Sequence, residues 1–547
     1  MKNNGDTDNI DNSKKSGSIA LKGLSLSVLT LGSRILGLIR EMTKAHFLGT
    51  SSQSDAFSIA FLVPNLFRRL FAENSISVAF IPTFRSYLKS NGSPEDKKTT
   101  QEFISATFTL LCFLVTTFVV LCMLLTPLIL RIFYGFKKYD PETFGEAVIL
   151  TRMMFPYLAV ISIAAFFQGI LNGVKIFSPS GFTPILFNGI VIAFTYIFSP
   201  HTANPARAMA IGVVTGGTVQ ALFQLPFVLK TDWTVSLTTL KKAFTNPGTR
   251  RVLKLIAPTI VGMAAYQLND IFSTAIANKV NEGLVSSLQY SLRLQELILG
   301  IFAVTIGTVI LPDLTGFAKQ KEWKNFSNML TQALKIMILI SIPVTAYCLI
   351  MKRSLVAVLF ATGRFNEKSI ETTTAVFHFH IIGLVFIALN RILSPSFYAQ
   401  EDAVSPTVAG IINVLVNIAL AYVLSIPMGG NGIALALSIA STVNTIILFA
   451  LLFRKKDVDA KHIAADSLLY TLKIAVFSVA AAVPVYFVRA PLLKAFEGHN
   501  RWVSYGIPVA VSGVIFAATG VVLLLATKDS VIWPLIKKIA RRTGKAD

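Results

Sequence analysis

The chain has 547 residues, 53% of them hydrophobic and only 14% charged, with a mean hydropathy of +0.63. That composition excludes an ordinary soluble enzyme and places the chain among polytopic membrane proteins. A formal net charge of +22 would suggest nucleic acid in a soluble protein. Here the charge has to be read against membrane topology, and no nucleic-acid partner is expected.

Apolar runs of about 18–25 residues recur along the whole length, each long enough to cross a ~30 Å hydrocarbon layer as a helix. About fourteen are expected, near 20–48, 54–84, 103–131, 147–173, 178–199, 206–229, 251–279, 285–316, 327–351, 372–398, 405–426, 430–453, 464–488 and 502–527. The fold class is therefore all-α. The expected organisation is a polar, disordered extension over 1–19, a first lobe over 20–230, a second over 251–454, a C-terminal helix pair over 464–527 and a basic tail over 528–547. With the N-terminus inside, the inside segments hold more than half of the 50 Lys and Arg, as the positive-inside rule requires. Both termini are then cytoplasmic, and the tail "PLIKKIARRTGKAD" meets anionic lipid headgroups. No removed signal peptide is read at the N-terminus. Cys112, Cys122 and Cys348 all lie in apolar runs and form no disulfide or metal spacing.

The first two helices carry charges that membrane helices avoid. "LGSRILGLIREMTKAHFLG" holds Arg34, Arg40 and Lys44 with Glu41; Arg34 and Glu41 are seven apart, so they share a face. The second, "SDAFSIAFLVPNLFRRLFAEN", holds Arg68 and Arg69 with Asp55 and Glu73. Pro64 should loosen this helix, and Asn65 is placed to satisfy a freed backbone group. Arg69 and Glu73, four apart, are expected to pair. A charge at mid-bilayer costs about 2.5–3.5 kcal/mol, so this surplus of cations implies a wet, positive cavity. Internal ion pairing is the plainer alternative, although buried pairs stabilise weakly.

The loop "GSPEDKKT" has Lys97 where a phosphate-binding loop needs its second Gly, so ATP is not expected. A repeat is visible: "SVAFIPTF" matches "GTVILPDL" and "FSPSGFTP" matches "VSPTVAG" at offsets of about 227–230 residues. Two six-helix halves of like orientation follow. In the second half Asp270 is the most isolated intramembrane acid, beside Asn269, and Arg293 and Glu296 are three apart and able to pair. Arg391 is a further embedded cation. Asn413 and Asn417 lie four apart on one face, where amides often only join neighbouring helices. His378 and His380 point to different faces and are read as interfacial.

Arg34, Arg40, Lys44, Arg68, Arg69, Arg152, Arg293 and Arg391 outnumber Glu41, Glu73, Asp270 and Glu296. Arginine binds phosphate bidentately and stays charged, so the expected ligand is a phosphate or pyrophosphate. The segments "GSRILGLIRE", "SDAFSIAFLVPNLFRRLFAEN", "SVAFIPTF", "YSLRLQELILG", "GTVILPDL" and "LSPSFYAQED" together resemble the MurJ (MviN) lipid II flippases of the multidrug/oligosaccharidyl-lipid/polysaccharide exporter superfamily. The resemblance implies a bacterial inner-membrane protein that moves lipid II, an undecaprenyl-pyrophosphate-linked peptidoglycan precursor, from the cytoplasmic to the outer leaflet. It also implies two six-helix lobes forming a V, with a lipid-tail groove at helices thirteen and fourteen. By motif it places substrate-binding roles on Arg34, Arg40, Arg68 and Arg293, with Glu73, Asp55 and Glu296 as the accompanying acids. Arg69 and Arg391 join them on charge alone. Leu292 stands where many relatives have Asp. Some relatives bind sodium between helices seven, eleven and twelve, which would fall on Asp270, Asn413 and Asn417; no other cofactor is expected. The partners expected are lipid II and membrane lipids. An exporter of drugs or other polyprenyl-linked saccharides is the second reading, and a membrane enzyme on polyprenyl pyrophosphate the third; an enzyme would need clustered acids or a nucleophile beside the cations, and none is evident.

Overall fold

The computed structural model describes residues 29–73, 76–89, 93–135, 140–534 and 536–537; within its helices, the side chains of 71–73, 77, 257–266, 301–309 and 311 lie outside that description. The expected disordered extension and most of the basic tail therefore also lie outside it. All regular structure among the described residues is helical.

The helices in order are α1 (29–48), α2 (Ser52–Phe67), α3 (Ile81–Lys89), α4 (Pro94–Tyr134), α5 (Pro141–Gly173), α6 (Ser178–Phe198), α7 (Pro205–Leu229), α8 (Leu240–Thr245) and α9 (Pro247–Val280). They continue as α10 (Leu284–Lys319), α11 (Trp323–Phe360), α12 (Glu367–Ile382), α13 (Leu384–Ala399), α14 (Val404–Met428), α15 (Gly430–Leu452), α16 (Ala460–Ala495) and α17 (Ile507–Ala526). Among the described residues nine helices are long and apolar enough to cross a membrane, ten if α12 and α13, bent by 43°, count as one span. The charge-bearing α1, α2, α9 and α10 fall where four more spans are expected, so the order is consistent with fourteen crossings.

Local sequence explains where these helices begin. Ser93, Asp140 and Asn204 each precede a proline that can occupy the first helical turn without losing a hydrogen bond. Their side chains accept from the backbone N–H of Asp96, Thr143 and Arg207 at 3.2, 2.9 and 3.1 Å. Pro64 acts as expected on α2, which gives way to π-helical turns over Arg68–Glu73 and Ile76–Phe80 before α3 resumes.

The chain divides into two compact units, one of the residues up to Leu48 with Ser52–Gln267, the other of Gly49–Ser51 with the residues from Leu268 onward. The first unit has an aromatic centre: Phe80 lies 5.6 Å from Phe84, 5.6 Å from Phe103 and 4.8 Å from Phe166. Arg207 of α7 reaches Glu146 of α5 at 2.7 Å. In the second unit Tyr290 packs 5.0 Å from Phe360 and 5.5 Å from Phe365, and its hydroxyl donates to the Gly49 carbonyl at 3.0 Å. The break between α12 and α13 falls at Gly383, where an added Cβ would lie 2.7 Å from the Ser438 Cα of α15. Ser438 donates to the Phe379 carbonyl at 2.6 Å, so the bend is fastened to α15.

His380 is not interfacial. It is buried, its Nδ1 is 2.7 Å from the Ser291 hydroxyl, and its carbonyl accepts from Gln295 at 2.5 Å, joining α12 to α10. Cys122 and Cys348 are buried as expected, and Cys112 is half-buried. Helices α16 and α17 pack on α11 through Met351, Ala481, Val485 and Phe516. Their outer faces leave Val476, Val479, Phe487 and Val514 more than half exposed, a surface suited to lipid rather than water.

Candidate functional site

In the first unit, the cations of α1 and α2 meet different fates. Arg40 pairs with its neighbour Glu41 at 2.9 Å, with side-chain exposures of 12% and 9%. The sequence had put Glu41 on a face with Arg34. Adjacent residues point about 100° apart on a helix, but the long Arg40 side chain spans that angle. Its guanidinium also lies 5.8 Å from the Phe61 ring of α2 and 5.9 Å from the Phe187 ring of α6. Tyr157 of α5 closes the box, 5.6 Å from Phe187 and 6.5 Å from Phe61. Aromatic faces attract a desolvated cation by up to about 2 kcal/mol, so Arg40 is held by one carboxylate and two rings.

Lys44 is buried and donates to Ser58 at 2.5 Å, and Ser58 donates on to the Ser54 carbonyl at 2.7 Å. Asp55 is buried in the first turn of α2, where the helix dipole favours an anion. Arg68 donates from Nε to Asn65 Oδ1 at 2.9 Å. Asn65 thus orients a cation rather than satisfying backbone freed by Pro64. Arg34, Arg68 and Arg69 are half-buried, and Arg152 is exposed and donates to the Met123 carbonyl of α4 at 3.1 Å. Glu73 ends the π-helical turn, but its side chain lies outside the described residues.

In the second unit Arg293 and Glu296 form the expected pair, 2.7 Å apart and 44% and 58% exposed. Arg391 is exposed on α13, and Asp270 is half-buried on α9. Asn417 donates to Asn269 Oδ1 at 2.5 Å, joining α14 to α9 one residue from Asp270. The Oδ1 atoms of Asn413 and Asn417, and that of Asn444 on α15, are buried without a hydrogen-bond partner among the described residues. Asn444 was not anticipated. An added Cβ on Gly432 of α15 would overlap the Leu424 carbonyl of α14; counting twelve residues along each antiparallel helix from that contact brings Asn444 level with residue 412, beside Asn413. Amide and carboxylate oxygens are the donor types that a hard cation takes. Among the described residues no group of three or more His, Cys, Asp or Glu could hold a metal.

The family model described as lipid II flippase MurJ matches residues 44–496. The chain belongs to the MurJ family. A probable lipid II flippase MurJ from Treponema pallidum is 43% identical over 528 residues, covering 96% of this chain and 99% of the relative. The lipid II flippase MurJ of Burkholderia cenocepacia is 33% identical, covering 78% and 82%. Among solved structures, a lipid II flippase MurJ in an inward closed conformation superposes with a TM-score of 0.75 at 24% identity, over 93% of this chain and 99% of that one. An inward-facing multidrug resistance MATE transporter gives 0.61 at 16% identity, over 81% and 95%. These two structures share the fold of this chain.

The MurJ-like motif "LSPSFYAQED" ends at a corner between α13 and α14. There Asp402 accepts from the Ser405 amide at 3.0 Å and hydroxyl at 2.7 Å, and pairs with Lys455 at 2.6 Å. Burial pushes the Asp402 carboxyl up, but the hydrogen bonds from Lys455 and Ser405 outweigh it and hold the group at about 2. An unfolded aspartate titrates near 3.9. The stabilisation is therefore complete above about pH 4 and lost as pH falls through about 2. Asp402→Asn is expected to lower stability by on the order of 1–2 kcal/mol near pH 7, with the gap from the natural protein closing toward about pH 2. A gap that stays constant across that range in thermal unfolding would contradict this.

Proposed function

We propose that this chain is a lipid II flippase, carrying the undecaprenyl-pyrophosphate-linked peptidoglycan precursor from the inner to the outer leaflet of the cytoplasmic membrane for cell wall synthesis. The observation that carries the reading is 43% identity to a probable lipid II flippase over 96% of this chain. It is a multi-pass inner-membrane transporter, with both termini on the cytoplasmic side, and it makes and breaks no bonds in its cargo.

The charged helices suit that cargo. A pyrophosphate entering a membrane interior needs cations that stay charged in a low dielectric, and guanidinium does so. Arg34 and Arg68 in the first unit and Arg293 in the second take this role, with Arg69 and Arg391 adding positive charge. Arg68 is presented by the π-helical turn and oriented by Asn65. Arg40 is different: its pairing with Glu41 and its aromatic box make it a fixed positive charge that tunes the field rather than a mobile ligand. Glu296, Glu73 and Asp55 balance the cations when cargo is absent. A cationic-drug exporter would need the opposite sign. Rescue of a bacterium depleted of its lipid II flippase tests the reading. The natural gene is expected to restore growth, and Arg34→Ala, Arg68→Ala and Arg293→Ala each to lose rescue by tenfold or more at equal membrane expression. Full rescue by all three variants contradicts these roles, and failure of the natural gene contradicts the function.

Sodium is the coupling ion in this reading. The Asp270 carboxylate and the amide oxygens of Asn413, Asn417 and Asn444 would hold it, and the ion supplies a charge whose binding biases one transporter state over another. Asn269 keeps Asn417 in place. Sodium is expected to raise the Tm of the natural protein relative to choline at equal ionic strength, and Asp270→Asn to abolish the rise. The same rise in the variant, or none in the natural protein, contradicts a sodium site.

A further inference from the structure

The segment between α7 and α9 has a composition that transport of a pyrophosphate does not require. Over residues 230–254 it carries Lys230, Lys241, Lys242, Arg250, Arg251 and Lys254 against the single acid Asp232, and all seven are exposed. It also leaves Leu237 69%, Leu240 40% and Phe244 42% exposed.

The segment is not a loose loop, because a polar ladder fastens it to α4. Gln101, Ser105 and Thr109 are spaced four apart and so share one face of α4. They bind residues spaced two apart: Gln101 exchanges hydrogen bonds with the Thr234 carbonyl and amide at 2.6 and 3.0 Å. Ser105 meets the Ser236 hydroxyl at 2.9 Å, and Thr109 accepts from the Thr238 amide at 2.9 Å. Four helical residues rise about 6.0 Å and two extended residues about 6.6 Å, so the two spacings stay in step over three rungs. The alternation that turns 234, 236 and 238 toward α4 turns Leu237 away from it. Trp233 anchors the upstream end, buried and 5.9 Å from Phe84.

Helix α8 continues the pattern. Ala243 is fully buried, while Leu240 and Phe244, four apart, face outward. Phe244 lies 6.3 Å from Phe113, itself exposed on the apolar span of α4. Arg250 donates to the Phe244 carbonyl at 3.0 Å and closes the helix end. The apolar side chains are thus continuous with the lipid-facing surface of α4, and the exposed cations Lys241, Lys242, Arg250 and Arg251 flank them along the chain.

We propose that residues 230–254 form an interfacial docking site for anionic phospholipid headgroups, with Leu237, Leu240 and Phe244 entering the acyl boundary and Lys241, Lys242, Arg250 and Arg251 engaging the phosphates. Apolar side chains backed by cations at a membrane surface are the chemistry that selects anionic lipid. A nucleic acid would have no use for Leu237 or Phe244 beside a membrane span. Each basic side chain near such a surface strengthens binding about fivefold. The ladder on α4 holds the site at a fixed depth. The inference rests on the chain being a membrane protein and not on its cargo.

The test uses the full-length protein in nanodiscs of phosphatidylcholine with a minor fraction of phosphatidylglycerol, counting retained phosphatidylglycerol by native mass spectrometry. One variant combines Lys241→Gln, Lys242→Gln, Arg250→Gln and Arg251→Gln. A second combines Lys537→Gln, Lys538→Gln, Arg541→Gln and Arg542→Gln, removing the same charge from the tail. The linker positions are exposed and the substitutions remove only the Arg250 hydrogen bond to the Phe244 carbonyl, so at most a small fall in Tm is expected. The linker variant should retain at least tenfold less phosphatidylglycerol, and the tail variant should fall by less than half that factor. Unchanged retention in the linker variant, or an equal loss in both variants, overturns the site.

Discussion

A positive charge inside a hydrocarbon layer has to be neutralised, surrounded by polarisable groups or kept in water, and α1 and α2 are organised around that requirement. Placing one there costs about 2.5–3.5 kcal/mol, and α1 carries Arg34, Arg40 and Lys44 while the π-helical turn after α2 carries Arg68 and Arg69. Arg40 has a carboxylate at 2.9 Å and two phenyl rings within 6 Å. Lys44 is passed into a serine chain. Arg68 donates from Nε to the Asn65 amide oxygen, which orients the guanidinium.

Departures from regular helix occur at positions with a purpose. The helix that contains Pro64 gives way to a wide π-helical turn, and that turn carries Arg68 and Arg69. Gly383 breaks the path of α12 and α13 where α15 approaches too closely for a side chain, and Ser438 fastens the bend. The orphaned amide oxygens of α14 and α15 belong to the same economy. Buried polar atoms without partners are uncommon in folded proteins, and the Oδ1 atoms of Asn413, Asn417 and Asn444 are among those found here.

Much of this was legible in the sequence, for reasons that are local. Apolar length reveals a span whatever its neighbours, so the helical order was accessible. Spacing along one helix reveals pairs such as Arg293 and Glu296. The loosening of the helix after Pro64 was expected from its missing amide, although the π-helical turn itself begins at Arg68. What escaped was tertiary. The box around Arg40 draws Phe61 from α2, Tyr157 from α5 and Phe187 from α6, and no pattern along the chain announces which aromatic residue meets which cation. Asn65 was expected to serve the backbone because its helix has a proline, but an accessible guanidinium competed successfully. His380 looked interfacial because histidine is polar; Ser291, 89 residues away by sequence order and on another helix, satisfies it in the interior. Asn444 lacked any signal, since its relevance depends on the register between α14 and α15.

The most direct measurement is leaflet-resolved transport. Purified protein would be reconstituted into vesicles holding fluorescently labelled lipid II in both leaflets, with a membrane-impermeant quencher added outside under an imposed sodium gradient. Protein-free vesicles retain the inner-leaflet signal, and vesicles containing the protein are expected to lose most of it, with an unlabelled excess of lipid II slowing the loss. Retention of the inner-leaflet signal in vesicles with correctly folded protein would contradict the assignment of lipid II as the cargo.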